Sequence, residues 1–336
     1  MKPSFLMSTI LLAGLLLQTG CTQWDDAKLR LFRFTGIFHD QDKELRDIEE
    51  KGLDPSKYSR IDLEDLKDGG PPKDGIPSID EPRFHTAWGT PFPGTETVIG
   101  VVINGEAKAY PYGILNWHEI VNDVIGGVPI AVTYCPLCDT IVAIERGDTT
   151  FGVSGKLFQS CLVMFDRAED TLYLQPWAEG IVGEAFNTVL DRVPAVKTTL
   201  TEWRKQYPDT LVLSPETGHS RDYFRYPYGS YRTNDRLIFP VRNQDQLEGH
   251  PKDIISYIWE ADDEAPHNLF SGRQAAVTHD EVRKQGEMRI AFGDETVTAF
   301  WDDTLSTTVF VDGDEEVIPS STAFRFVYPA FFPLAN

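Results

Sequence analysis

The 336 residues predict a β-rich α+β fold, one large domain with many short strands and a few short helices, behind a charged N-terminal spacer. Three observations predict it. Short runs of β-branched and aromatic residues, separated by turn residues, recur from about residue 98 to residue 311. Helical spacing is confined to brief stretches. No regular alternation of strand and helix points to a doubly wound sheet. With 41% hydrophobic and 12% aromatic residues, the chain can bury a large core.

Taken in order, residues 1–20 read as a targeting segment. Lys2 supplies a positive start, and Phe5 to Leu17 is an apolar run too short to span a bilayer. Leu17-Gln18-Thr19-Gly20-Cys21 is similar to the lipobox of bacterial lipoproteins, which implies cleavage before Cys21 and lipidation there. Several acyl chains on one residue anchor a protein stably. The expectation is an extracytoplasmic protein, lipid-anchored to a bacterial membrane through Cys21. Residues 21–66 form the charged spacer, with an exposed helix expected over 41–51. Asp68-Gly69-Gly70-Pro71-Pro72-Lys73-Asp74-Gly75 is too rich in turn residues for helix or central strand, and it opens the main domain, 67–336.

In that domain, strands at 98–103 and 107–110 flank the hairpin dipeptide Asn104-Gly105. Helical spacing of Ile114, Leu115, His118 and Val121 predicts a helix over 114–123, ended by Gly126-Gly127. Strands are expected at 128–134, 140–145, 150–154, 162–166, 171–174 and 181–183. Thr201 to Tyr207 reads as a short helix stopped by Pro208. The stretch 215–250, rich in Tyr, Arg, Pro and Gly, reads as a long ordered loop. Strand-like runs follow at 254–259, 288–292, 296–301 and 307–311, and the aromatic end, Phe324 to Phe332, is expected to fold back onto the core.

Charge excludes some functions. With 31 basic and 52 acidic residues the net charge is −21, and such a surface repels nucleic acid and anionic lipid headgroups alike. Nucleic acid is therefore not an expected partner.

The residues with the most chemical content are Tyr134-Cys135-Pro136-Leu137-Cys138. Two thiols at this spacing can exchange with a disulfide, one attacking and the other resolving, or they can ligate a metal as a pair. A purely structural bridge closes a tiny loop and contributes on the order of 2 kcal/mol. The motif precedes a strand-like run, Thr140 to Ile144, where a thioredoxin-like motif would open a helix. A Cys pair on a loop between strands resembles a metal knuckle. No second Cys pair at this spacing exists, so the further soft ligands are His118 and Cys161, in a site suited to zinc or cuprous copper.

Neighbouring motifs fail. His118-Glu119-Ile120-Val121-Asn122 has Asn where a zincin needs its second His. Pro136 lies inside the Cys pair, where a zinc deaminase has it before the pair. Gly152-Val153-Ser154-Gly155 lacks the spacer of a nucleophile elbow. Glu119 and Asp123 read as solvated or capping carboxylates, and Asp166-Arg167 as an ion pair at most.

Together these blocks resemble a domain-of-unknown-function family, number 3179. The resemblance rests on Gly69 to Pro77, Ala107-Lys108-Ala109-Tyr110-Pro111, His118 to Asp123 and Tyr134 to Cys138. It continues through Phe151 to Gly155, Leu162 to Arg167, Trp203, Tyr207 to Thr210, Leu213-Ser214, Thr217-Gly218 and Tyr226-Pro227-Tyr228. The family carries no established activity. Some members resemble selenoproteins, which implies a reactive sulfur at Cys135 or Cys138. The family commonly has Asn where this chain has Cys161, which implies that Cys161 stands outside the shared site.

Three functions follow as expectations. The first is a membrane-tethered thiol/disulfide oxidoreductase using Cys135 and Cys138, with His118 as a base or a positive charge. The second is a copper or zinc protein using Cys135, Cys138 and His118. The third is a non-catalytic binding lipoprotein whose segment Arg221 to Arg232 lines a ligand surface.

Overall fold

The computed structural model describes residue 61 and residues 63–260 and 272–332. The targeting segment, Cys21 and the expected helix at 41–51 lie outside the described residues. The fold is β-rich α+β, as its strand pattern predicts, with four short helices among the described residues.

Two short strands, β1 (Lys67–Asp68) and β2 (Phe84–Thr86), come first. β3 (Thr97–Ile103) and β4 (Glu106–Pro111) form a hairpin over Asn104-Gly105. Their φ angles of 49° and 81° are those of a type I′ turn, which matches the twist of the flanking strands. Helix α1 (Tyr112–His118) leads into β5 (Ile120–Ile125), β6 (Val128–Cys135) and β7 (Thr140–Glu145). Next come β8 (Phe151–Phe158), β9 (Cys161–Asp166), β10 (Leu172–Leu174), β11 (Glu179–Val182) and β12 (Arg192–Val193). β13 (Ala195–Thr199), α2 (Leu200–Gln206) and β14 (Leu211–Leu213) precede the long loop. Within 215–250 the only regular pieces are the 3-10 turns Tyr231–Thr233 and Gln244–Gln246. The last part holds β15 (Ile254–Glu260), β16 (Arg273–Thr278), α3 (His279–Gln285), β17 (Glu287–Phe292) and β18 (Glu295–Asp302). It closes with β19 (Thr307–Val311), β20 (Val317–Ile318), β21 (Ser321–Phe324) and α4 (Val327–Phe331).

The described strands form five sheets, in the orders β1-β8-β9-β10-β11, β12-β7-β6-β5, β13-β3-β4-β14-β2, β16-β15-β21 and β17-β18-β19-β20. Pairing is antiparallel except between β14 and β4. Among the described residues no helix is long and apolar enough to cross a membrane.

The structure corrects the expected helix at 114–123. α1 ends at His118, because Glu119 adopts φ 60° and turns the chain. Ile120 to Ile125 then pair with β6, where Ile120, Val121 and Ile125 bury their side chains on a pleated surface. Helix α2 is capped by Thr199, whose hydroxyl accepts the Glu202 N–H while the Glu202 carboxylate accepts the Thr199 N–H. Helix α3 carries the same capping box at Thr278 and Glu281.

The core around the thiols is aromatic. The Trp177 ring lies 5.0 to 5.5 Å from those of Tyr257, Trp259, Phe331 and Phe332. Thus the C-terminal aromatics fold back as the sequence predicts. In the neighbouring core, Gly100 faces Trp203: a Cβ there would come within 2.3 Å of the indole, so only glycine fits.

Candidate functional site

Cys135 is the last residue of β6 and pairs with Thr140, the first of β7. Pro136 to Asp139 therefore form the tip of a hairpin, with Asp139 at φ 54°. The motif lies on a loop between strands, with no helix after it.

The tip is pinned from several sides. Tyr231 donates its hydroxyl proton to the Leu137 carbonyl at 2.8 Å, and the Phe324 N–H donates to the Cys138 carbonyl at 2.7 Å. The Asp139 carboxylate accepts the Tyr134 hydroxyl at 2.9 Å and the Lys197 ammonium. Arg232 donates to the Tyr134 hydroxyl at 2.6 Å, stacks on Tyr226 and reaches Asp139 at 4.0 Å. A buried carboxylate thus has two cations and a phenol around it, which fixes the turn that carries Cys138.

All three described cysteines are free thiols and buried. Cys138 is in hydrogen-bond contact with Cys135 on one side and Cys161 on the other, and Thr140 donates its hydroxyl to the Cys138 Sγ at 3.0 Å. Cys161 arrives from the β8–β9 hairpin, where Gln159 and Ser160, at φ 49° and 63°, form the turn before it. The resemblance placed Cys161 outside the shared site; in this chain its sulfur touches that of Cys138.

Burial pushes all three thiols above their ordinary pKa, so they are neutral at neutral pH. Reactive cysteines of exposed exchange sites have lowered pKa values, and this site differs from them.

Glu119 lies within electrostatic reach of Cys135. Its carboxyl is buried, and desolvation pushes it up to about 8; the Tyr228 hydroxyl donates to it at 3.5 Å. Sequence alone reads Glu119 as solvated or capping, and burial at the α1–β5 junction corrects that. Asp123 is corrected likewise: buried, it accepts from Lys108 at 3.1 Å and from Tyr110 at 2.6 Å. Asp166 and Arg167 do not pair with each other. Asp166 accepts the N–H groups of Ala168, Glu169 and Thr171, while Arg167 reaches Asp74 and Ser78.

A small cleft of about 50 Å³ lies next to this site. Glu119, Leu137, Leu162 and Tyr228 are among its lining residues, with Leu157, Ile238 and Phe239. Each thiol thus has a cleft-lining neighbour: Glu119 beside Cys135, Leu137 next to Cys138, Leu162 next to Cys161.

His118 is fully buried, but its nitrogens face other partners. Nδ1 donates to the Pro77 carbonyl at 2.7 Å, so in the neutral ring Nε2 accepts from the Tyr223 hydroxyl, also at 2.7 Å. Burial lowers its pKa to about 4, so it carries no positive charge at neutral pH. A metal bridging it to the thiols would displace the hydrogen bond at the nitrogen it bound. Among the described residues no three His, Cys, Asp or Glu side chains are grouped as a metal ion needs.

The second half of the loop segment Arg221 to Arg232, read from sequence as a ligand or partner surface, folds over the thiols. Tyr228 reaches Glu119, Tyr231 reaches Leu137 and Arg232 reaches Tyr134.

The molecule is thus a β-rich protein with a buried thiol cluster at a hairpin tip. It belongs to the family described as "Protein of unknown function (DUF3179)", whose model matches residues 73–317. Neither a curated protein nor a solved structure matches the chain.

Proposed function

We propose that this chain is a lipid-anchored, extracytoplasmic thiol redox protein in which Cys135 and Cys138 cycle between dithiol and disulfide. The observation that carries the reading is the contact of the two thiols at a pinned hairpin tip, with the buried Glu119 carboxyl beside Cys135. Buried thiols are closed to a disulfide on a large partner. The oxidant in this reading is therefore a small one.

The Glu119 carboxylate takes the Cys135 proton, and the Cys135 thiolate attacks one sulfur of a low-molecular-weight disulfide RSSR. The S–S bond of RSSR breaks, Cys135 becomes a mixed disulfide with RS, and the first RS⁻ leaves. Cys138, its developing negative charge stabilised by the Thr140 hydroxyl, attacks the Cys135 Sγ and expels the second RS⁻. Two electrons pass from the protein to RSSR. The two protons lost by the thiols end on two RSH. A carboxyl near pKa 8 is matched to this transfer at mildly alkaline pH.

The anchor would be lipid on Cys21. A Cys21→Ser variant would then be released from the membrane fraction, while the authentic mature chain carries acyl mass on its first residue.

The chemistry is tested by mixing the reduced chain with oxidised glutathione and counting RSH released. Two RSH per chain are expected. Cys135→Ser should release none. Cys138→Ser should stop at one RSH, with the mixed disulfide trapped. Unchanged release in both variants contradicts the proposal.

A further inference from the structure

The order of contacts around the sulfurs points to a third station. Resting on the redox reading above, we infer that Cys161 is the second partner of Cys138, so that the disulfide moves from Cys135–Cys138 to Cys138–Cys161.

All three free thiols are buried in one core, and Cys138 lies within hydrogen-bond reach of both others, which sit on the β6–β7 and β8–β9 hairpins. The groups therefore run Glu119, Cys135, Cys138, Cys161. Glu119 and Tyr228 line the cleft and lie within electrostatic reach of Cys135, whereas Tyr257, buried in the aromatic core, lies within such reach of Cys138 and Cys161. Both loops that hold the row are fixed. The Asp139 network pins the β6–β7 tip. The Gln159 side chain accepts the Arg242 N–H at 2.7 Å and holds the β8–β9 turn.

The step is an exchange with no net redox change. Once Cys135–Cys138 has formed, the Cys161 thiolate attacks the Cys138 Sγ. The Cys138–Cys161 bond forms, the Cys135–Cys138 bond breaks, and Cys135 leaves as thiolate. The proton given up by Cys161 ends on Cys135. No electrons enter or leave. The oxidised pair has moved into the core, and a reduced Cys135 stands again beside Glu119.

Trypsin makes the two bridges distinguishable. Cleavage after Lys108 and Arg146 places Cys135 and Cys138 on one peptide, 109–146, and cleavage after Lys156 and Arg167 places Cys161 on another, 157–167. The Cys135–Cys138 bridge makes the first peptide lighter by two hydrogens. The Cys138–Cys161 bridge joins the two peptides.

The full-length chain, in detergent, is oxidised with oxidised glutathione, alkylated without reductant, digested and weighed. Wild type should give both products. Cys161→Ser should give the internal bridge alone. Cys135→Ser, which lacks the attacking thiol, should give neither bridge, and Cys138→Ser should likewise lose both. If wild type gives the internal bridge alone, the redox reading stands and the Cys161 inference falls. Joined peptides in Cys138→Ser would overturn the assignment of Cys138 as the shared partner. No bridge in any form overturns the redox reading itself.

Discussion

Replacing Glu119 by Gln removes one ionisable group from the buried site and keeps its shape. In the folded chain the carboxyl holds its proton up to about pH 8, against an ordinary 4.5. In the unfolded chain it ionises near the ordinary value. Between those values the native state binds more protons, so wild-type stability falls as pH rises. Each pH unit in that window costs about 1.36 kcal/mol. A window of roughly 3.5 units gives on the order of 5 kcal/mol by pH 8, an upper figure if the carboxyl relaxes toward the cleft. The Gln carbonyl can still accept from Tyr228, so the variant keeps the hydrogen bond without the ionisation. Urea unfolding under reducing conditions, in protein starting at Thr22, measures the effect. The two proteins should be nearly equal at pH 5, and Glu119→Gln more stable by several kcal/mol at pH 8. The variant should also lose the rise in thiol oxidation rate near pH 8. Parallel stability curves from pH 5 to 8 would refute the argument, because they would mean that the carboxyl already ionises freely in the native chain.

Three further outcomes follow from the same network. His118, held neutral with a pKa lowered to about 4, stabilises the fold above pH 6.5. That contribution, about 3 kcal/mol, should be lost as pH falls from 6.5 to 4, and it is best read in the Glu119→Gln background, where the opposing trend is absent. Tyr223→Phe leaves Nε2 of His118 without its donor and should cost about 1 to 3 kcal/mol at pH 7, measured by the same unfolding assay. Asp139→Ala strips Lys197 of its carboxylate and should cost about 3 kcal/mol, with a severalfold faster alkylation of Cys138 as the tip loosens; unchanged alkylation would show that the tip is held by Tyr231 and Phe324 alone.

Most of the strand framework was legible because its signals are local. Asn104-Gly105 between two β-branched runs is a hairpin by turn chemistry, and 307–311 and 140–145 were bounded by their own patterns. The helix over 114–123 failed because Ile114, Leu115, His118 and Val121 fit a helical face, while the pairing of Ile120 to Ile125 with β6 is a tertiary fact. Helix α3 was missed although Thr278 and Glu281 give the capping-box spacing, since its apolar face is a single buried residue, Val282. At the site, the Cys pair and its loop between strands were readable from spacing alone. Glu119 was not, because a carboxylate next to His118 in sequence carries no sign that the chain turns at φ 60° and drives it inward. Nor was the place of Cys161 readable: it lies 23 residues beyond Cys138, and only the packing of two hairpins brings the sulfurs together.

The central claim is that Cys135 and Cys138 form a reversible redox couple. Its most direct test is the reduction potential of that pair, in soluble protein starting at Thr22 and carrying Cys161→Ser so that only one bridge can form. A reversible couple between about −120 and −270 mV is predicted, the range of thiol–disulfide exchange proteins. A pair that will not bridge, or one below about −300 mV, where a disulfide is merely structural, would contradict the account.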